Sequence, residues 1–365
     1  VLDGVYDELA ESVDKNLGFL NSGFHTVNLK CKDSLDNWSS PAPYTFNVIS
    51  PPVVSTDPAT NILGKQADLN GTLSGLGGTG SAEVWFVWDT IPRADYQNYL
   101  SSNYNSRETK TIAGNFDFVA TNLSPGMTYY FRAVAKNSAG TTQGAEKNFT
   151  TATLSVSLGV LPSSGHAPLG NVVMTAAVSG SGLADKTINY TFYCNRSDSG
   201  TNVTLDYAYK IDGILTNPYS TPGICDIAYA LPGEYSAKVI VQRGDLEVEK
   251  RQTVTVTNNS PVLSWTEETN YAADGLHPEI GNLGASFVYR IKYTDQDNDA
   301  PNFVKVHIKK GGTEISGSPF NMNYVSGSYS GGAIYSYTKS GLDLGLDYTY
   351  YFEAQDVIGA TATST

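Results

Sequence analysis

The residues Leu123–Gly140, LSPGMTYYFRAVAKNSAG, hold a turn, one strong strand and a second turn. Tyr129, Phe131, Ala133 and Ala135 fall on one face, while Tyr130, Arg132 and Lys136 fall on the other. That period of two marks a half-buried β-strand. The same face recurs as His25/Val27/Leu29/Cys31, Tyr235/Ala237/Val239/Val241 and Tyr348/Tyr350/Phe352/Ala354, each copy following a Gly-containing turn. The four anchors lie 104, 106 and 113 residues apart. A repeat of that length is one small domain and far too long for a solenoid unit. A string of similar β-domains is therefore expected.

Composition agrees. Charged residues make up 16% of the 365, Gly and Tyr are plentiful, and no segment carries a long amphipathic helical pattern. The net charge of −13 argues against nucleic acid, because phosphate binding needs clustered Lys and Arg. It fits solubility at a surface and an affinity for divalent cations. No run of eighteen apolar residues occurs, so no membrane span is expected. The sequence has neither an initiator Met nor a signal peptide, and both ends fall inside repeats, so a processed product or a fragment is expected. Cys194 and Cys225 flank a polar loop inside one repeat, and a disulfide there implies an oxidising compartment. Cys31 sits on the inward face beside Val27 and Leu29 and reads as a buried free thiol.

Four segments follow. Residues 1–50 resemble the second half of a bacterial immunoglobulin-like module, in the G-x-H-T-V strand at Gly23 to Val27 and the turn from Lys32 to Trp38. Its early strands are missing, so either the chain continues upstream or another chain adds strands to the open edge. Residues 51–152 resemble a fibronectin type III domain, and Leu123, Pro125 and Tyr129 resemble its tyrosine corner. Tyr235 and Tyr348 are the matching positions in later copies. Residues 153–257 resemble domains of the polycystic-kidney-disease type, including the turn from Ser164 to Leu169. The usual Gly-Asp-Gly turn is replaced within Tyr190 to Gly200, where the disulfide takes over the anchoring. Residues 258–365 again resemble bacterial immunoglobulin-like repeats and lack most of the last strand. The resemblances imply an all-β chain of tandem immunoglobulin-like sandwiches. Short linkers would then make it an elongated rod.

Candidate chemistry is sparse. His25, His166, His277 and His307 lie in four separate settings, and no nucleophile elbow, metalloprotease motif, P-loop or dinucleotide fingerprint occurs, so no enzyme and no organic cofactor is expected. Asp295, Asp297 and Asp299 present hard oxygen ligands at alternating positions, the start of a Ca²⁺ loop. Ala300 and Val306 stand where an EF-hand needs Gly and a carboxylate. What remains is a looser structural Ca²⁺ site at a strand end, or an acidic turn solvated by water. Sequons occur at Asn37, Asn70, Asn148, Asn189, Asn195, Asn202 and Asn258, with a further one at Asn122 that is followed by Ser124-Pro125. The three between Asn189 and Asn202 make that face the best glycan candidate. Tyr96, Tyr99 and Tyr104 lie in a long connection and could serve an interface with a protein or a glycan.

These readings point to a non-catalytic, extracellular structural protein of a surface fibre, stalk or layer, partnered by copies of itself or other surface proteins. The alternative is an adhesin, or the glycan-binding accessory region of a large secreted enzyme.

Overall fold

The computed structural model describes residues 14–33, 35–99, 103–225 and 227–364. It is an all-β chain of immunoglobulin-like sandwiches, in seven sheets. The chain divides into two compact units. One runs to Leu154 and adds Gly180–Lys186 and Arg243–Leu246; the other holds Ser155–Ser179, Thr187–Gln242 and Glu247 onward.

The first unit begins with a two-stranded antiparallel sheet, Gly23–Leu29 against Ala42–Val48, with Gly23 opposite Val48 and Leu29 opposite Ala42. His25 packs on Phe46, but Phe24, Leu29, Trp38 and Tyr44 are exposed. Cys31 is exposed as well, which corrects the expected buried thiol. The strand ends at Leu29, and among the described residues no second sheet layer covers its inward face.

Residues Val53–Thr150 then form a complete sandwich. One sheet orders Val53–Thr60, Ala67–Gly75 and Gly114–Ala120. The other centres on Thr128–Asn137, flanked by Ala82–Asp89 on one side and by Gly140–Gln143 and Lys147–Thr150 on the other. Tyr129, Phe131, Ala133 and Ala135 all enter the core, where Phe131 meets Phe86 and Phe149. Full burial of such a ring contributes about 1.5–3 kcal/mol. The turn before the strand follows from its residues: Pro125 supplies a fixed φ and Gly126 the positive φ of 72° that a type II turn demands. The turn brings the Ser124 N–H to the Tyr129 hydroxyl, which accepts it at 2.9 Å. Gly71 lies under this strand, where a Cβ would stand 2.9 Å from Ala133 Cβ.

The loops Gly180–Lys186 and Arg243–Leu246 belong to the same unit. Leu183 and Leu246 join Ala152, Leu63 and Leu154 in a small apolar cluster. The Asp245 carboxylate accepts the backbone N–H groups of Gly64 and Lys65 at 2.8 and 2.6 Å.

The second unit holds the strands of two further sandwiches. In the first, Ser155–Leu161, Val173–Ser179 and Tyr219–Ser220 form one sheet. The facing sheet runs Ser164–His166, Leu246–Thr257, Gly233–Arg243, Ile188–Tyr193 and Tyr209–Ile214. Ala237, Val239 and Val241 are fully buried, as are Tyr190, Phe192 and Met174. In the last sandwich, Ser286–Thr294 pairs with Gly332–Ser340, and Pro301–Lys310 pairs with Tyr348–Asp356. Its core gathers Ile291, Tyr293, Val304, Val306, Ile308 and Phe352.

Candidate metal centre

The acidic turn expected at a strand end lies where the strand Ser286–Thr294 hands over to Pro301–Lys310. Asp295, the first residue past the strand, is 0% exposed. Its Oδ1 accepts the N–H groups of Asp297 and Asp299 at 2.9 and 3.2 Å, which curls the chain around the carboxylate. Asn298, at a φ of 64°, supplies the left-handed residue that the curl needs and that Asn tolerates. From the partner strand, Asp356 is 1% exposed. Its Oδ1 holds a similar turn through the N–H groups of Ile358, Gly359 and Ala360 at 2.9, 2.6 and 2.8 Å.

Asp295, Asp299 and Asp356 each turn an oxygen to a common point, within 4.8 Å of one another. The expected trio is therefore corrected: Asp356 takes the place of Asp297. Alternate residues share a face on an extended strand, but here the chain is a curl, and Asp297 points back toward the linker. Its carboxylate accepts the backbone N–H of Asn259 at 2.6 Å and also the Asn259 side-chain amide. Asn259 Nδ2 donates in addition to Ala167 O at 2.9 Å. The preceding linker residue, Asn258, donates from Nδ2 to Asp356 Oδ2 at 2.7 Å.

Burial pushes the carboxyls of Asp295 and Asp299 above the usual carboxylate range, and the neighbouring aspartates add to both. Among the described residues, Lys and Arg form their ion pairs elsewhere, and none pairs with Asp295, Asp297, Asp299 or Asp356. Every convergent ligand atom is an oxygen, the donor set of a hard cation.

The other singled-out residues stay apart from this cluster and from each other. Cys194 and Cys225 form a disulfide with Cα atoms 5.4 Å apart, and the carbonyl of Cys194 accepts the Tyr229 hydroxyl at 2.7 Å. Tyr235 and Tyr348 return their hydroxyls to the carbonyls of Leu231 and Asp343 at 2.7 and 3.2 Å. Tyr99 is not available to an interface: it is buried with Trp85, Val87 and Val134, and its hydroxyl donates to Glu146. The long connection folds back over the outer face of the sheet, so Tyr96 packs edge-on to Trp85 and Tyr104 stays exposed.

The sequons divide in the same way. Asn258 is corrected as a glycan site, because its amide faces Asp356 inside the turn. Asn70 spends its amide on Pro58 O at 2.8 Å, and the half-buried Asn189 donates to Gln242 at 3.2 Å. Asn37, Asn148, Asn195 and Asn202 are exposed. His307 is held between Glu314 and Glu353, each 3.0 Å from one ring nitrogen, and stacks on Tyr351.

Sequence reading missed Lys238. Its side chain is fully buried, with Nζ 2.8 Å from Glu249 and 2.8 Å from the carbonyl of Asp198. The signal available was a lysine inside the apolar run from Ala237 to Val241. Asp198 itself is held down at about 2, first by the hydrogen bond from Arg196 and then by Lys238.

No family model matches the chain. No curated protein matches it either. Among solved structures, the sensor domain of the anti-sigma factor RsgI4 in Pseudobacteroides cellulosolvens aligns at 20% identity over 28% of this chain and 95% of that one, with a TM-score of 0.23. Domains A168–A170 of titin align at 12% identity over 87% and 97%, with a TM-score of 0.28. The sandwich assignment rests on the sheets and cores described above.

Proposed function

We propose that the chain is a non-catalytic structural segment of an extracellular protein, a series of immunoglobulin-like sandwiches within a surface fibre, stalk or layer. The observation that carries this reading is how the linkers are held. In the first unit, Ser50 donates its N–H to Gly77 O at 2.8 Å and its carbonyl accepts Asn137 Nδ2 at 2.7 Å, while Asn47 Nδ2 donates to Gly78 O at 2.7 Å. In the second unit, Asn258 and Asn259 are pinned from both sides. A flexible tether leaves such groups to water; a load-transmitting one satisfies them inside the protein. The disulfide supports an oxidising compartment. Among the described residues, no helix is long and apolar enough to cross a membrane.

A glycan-binding role would draw on an exposed aromatic platform, and of the three loop tyrosines Tyr104 is the exposed one. Electron microscopy of the purified chain at rising concentration tests the structural reading. Stiff particles that associate end to end are expected. Dispersed, freely jointed beads at every concentration, or glycan-array binding lost on Tyr104→Ala, would refute it.

A further inference from the structure

We propose that Asn258, Asp295, Asp299 and Asp356 form a Ca²⁺ site that locks the linker at Asn258 and Asn259 onto the last sandwich. This inference does not depend on the chain's larger role. The first observation is the convergence itself. Three carboxylates meet, two of them with essentially no exposure, and among the described residues no Lys or Arg side chain pairs with them. Ionised carboxylates removed from water are stable when paired or when coordinating a metal.

The second observation is independent of the first. Two oxygens at this place, Asp299 Oδ2 and Asn258 Oδ1, are wholly buried and accept no hydrogen bond. Buried acceptors are normally satisfied. Here the unsatisfied atoms are both oxygens, beside two further carboxylates, an arrangement that a cation complements. A water would supply only two protons to this crowd of acceptors; a divalent cation satisfies all of them at once.

The division of labour within each carboxylate fits. Asp295 and Asp356 each use Oδ1 for backbone N–H groups, which fixes the turn, while Asp356 Oδ2 accepts the Asn258 amide at 2.7 Å and Asp295 Oδ2 the Tyr293 hydroxyl at 3.4 Å. The donors are carboxylate and carboxamide oxygens carried by two irregular turns and a linker. Such a mixed, adaptable oxygen set suits Ca²⁺, which takes six to eight ligands, more than Mg²⁺, which demands a regular octahedron. Because Asn258 follows the strand Leu246–Thr257 directly and Asn259 already bridges Ala167 O and Asp297, a cation held by Asn258 also fixes the linker.

The test uses the full chain stripped with EDTA and then titrated with CaCl₂ or MgCl₂. Trp265, which packs edge-on to Phe352, reports unfolding of the last sandwich, and hydrogen exchange reports the amides of Asn258 to Ser260. At Ca²⁺ one hundred times the dissociation constant, the unfolding equilibrium constant is expected to fall about a hundredfold, and the linker amides to slow with it. Asp299→Asn is the informative variant, because its unpartnered oxygen can be replaced without breaking a hydrogen bond. It should fold in EDTA at least as well as the parent and lose more than tenfold in Ca²⁺ affinity. Asn258→Ala should weaken Ca²⁺ binding and abolish the linker protection. The proposal is overturned if about 10 mM Ca²⁺, above the range of extracellular modules, leaves the parent unchanged. It is equally overturned if Asp299→Asn responds like the parent, or if Mg²⁺ binds as tightly as Ca²⁺.

Discussion

Breaking the disulfide should loosen one sandwich and leave its neighbours alone. Cys194 and Cys225 are separated by 31 residues, and the loop between them carries the strand Tyr209–Ile214 and the short strand Tyr219–Ser220. On the loop-entropy model, a cross-link of that span restricts the unfolded chain by about 3.7 kcal/mol at 25 °C. Since each 1.4 kcal/mol is tenfold, the opening equilibrium should rise by several hundredfold, on the order of 400. The chain holds several cores, so a single bulk transition would blur the effect, and native-state hydrogen exchange is the better assay. In the variant Cys194→Ala/Cys225→Ala, the amides of Tyr190 to Tyr193 and of Val239 to Val241 should exchange several hundredfold faster. Those of Phe131 to Ala135, in the other core, should be unchanged. The parent protein with its disulfide reduced keeps both sulfur atoms, so the difference between it and the variant isolates lost packing from lost cross-linking. A change below about threefold in the first set would refute the reasoning. So would an equal change in both sets.

Three further outcomes are expected. Gly71→Ala places a Cβ 2.9 Å from Ala133 Cβ and from Phe116 Cζ. It should cost about 1–3 kcal/mol, read from the urea midpoint by the fluorescence of Trp85 and Trp88. Tyr129→Phe removes the acceptor of the Ser124 N–H, and should cost about 1 kcal/mol in the same assay. Acid should loosen the sandwich that holds Asp198, whose folded pKa of about 2 lies below its ordinary 3.8. A depressed carboxyl contributes stability that is complete above 3.8 and is lost as pH falls toward 2. Asp198→Asn should flatten that part of the acid profile, measured by exchange at Val239 to Val241.

The repeat was legible because a half-buried strand writes its own period. Phe131, Val239 and Phe352 are fully buried where the alternation puts them. The alternation says which face of a strand is apolar, however, not whether another sheet covers it. Cys31 shows the difference: its position matches the pattern, but it lies past the end of its strand and no second layer covers it among the described residues. Tyr99 shows the converse. Its connection reads as loop, and it becomes buried only because the outer face of the sheet offers Trp85, Val87 and Val134.

The acidic site divides along the same line. Asp295 and Asp299 were legible because one short turn carries both, and local spacing is what a sequence displays. Asp356 and Asn258 were not, since they reach the site through the antiparallel pairing of Pro301–Lys310 with Tyr348–Asp356 and through the path of the linker. Neither pairing leaves a mark near residue 295. The sequon at Asn258 points to a glycan acceptor, because a sequon records three neighbouring residues and nothing of where the amide points. Three carboxylates from two separate stretches of chain meet, and the Asn258 amide from a third bonds to one of them, only once the sandwich has closed. A cation bound there would therefore distinguish the folded state from the unfolded chain, and its binding energy would be spent on holding the linker and both turns together.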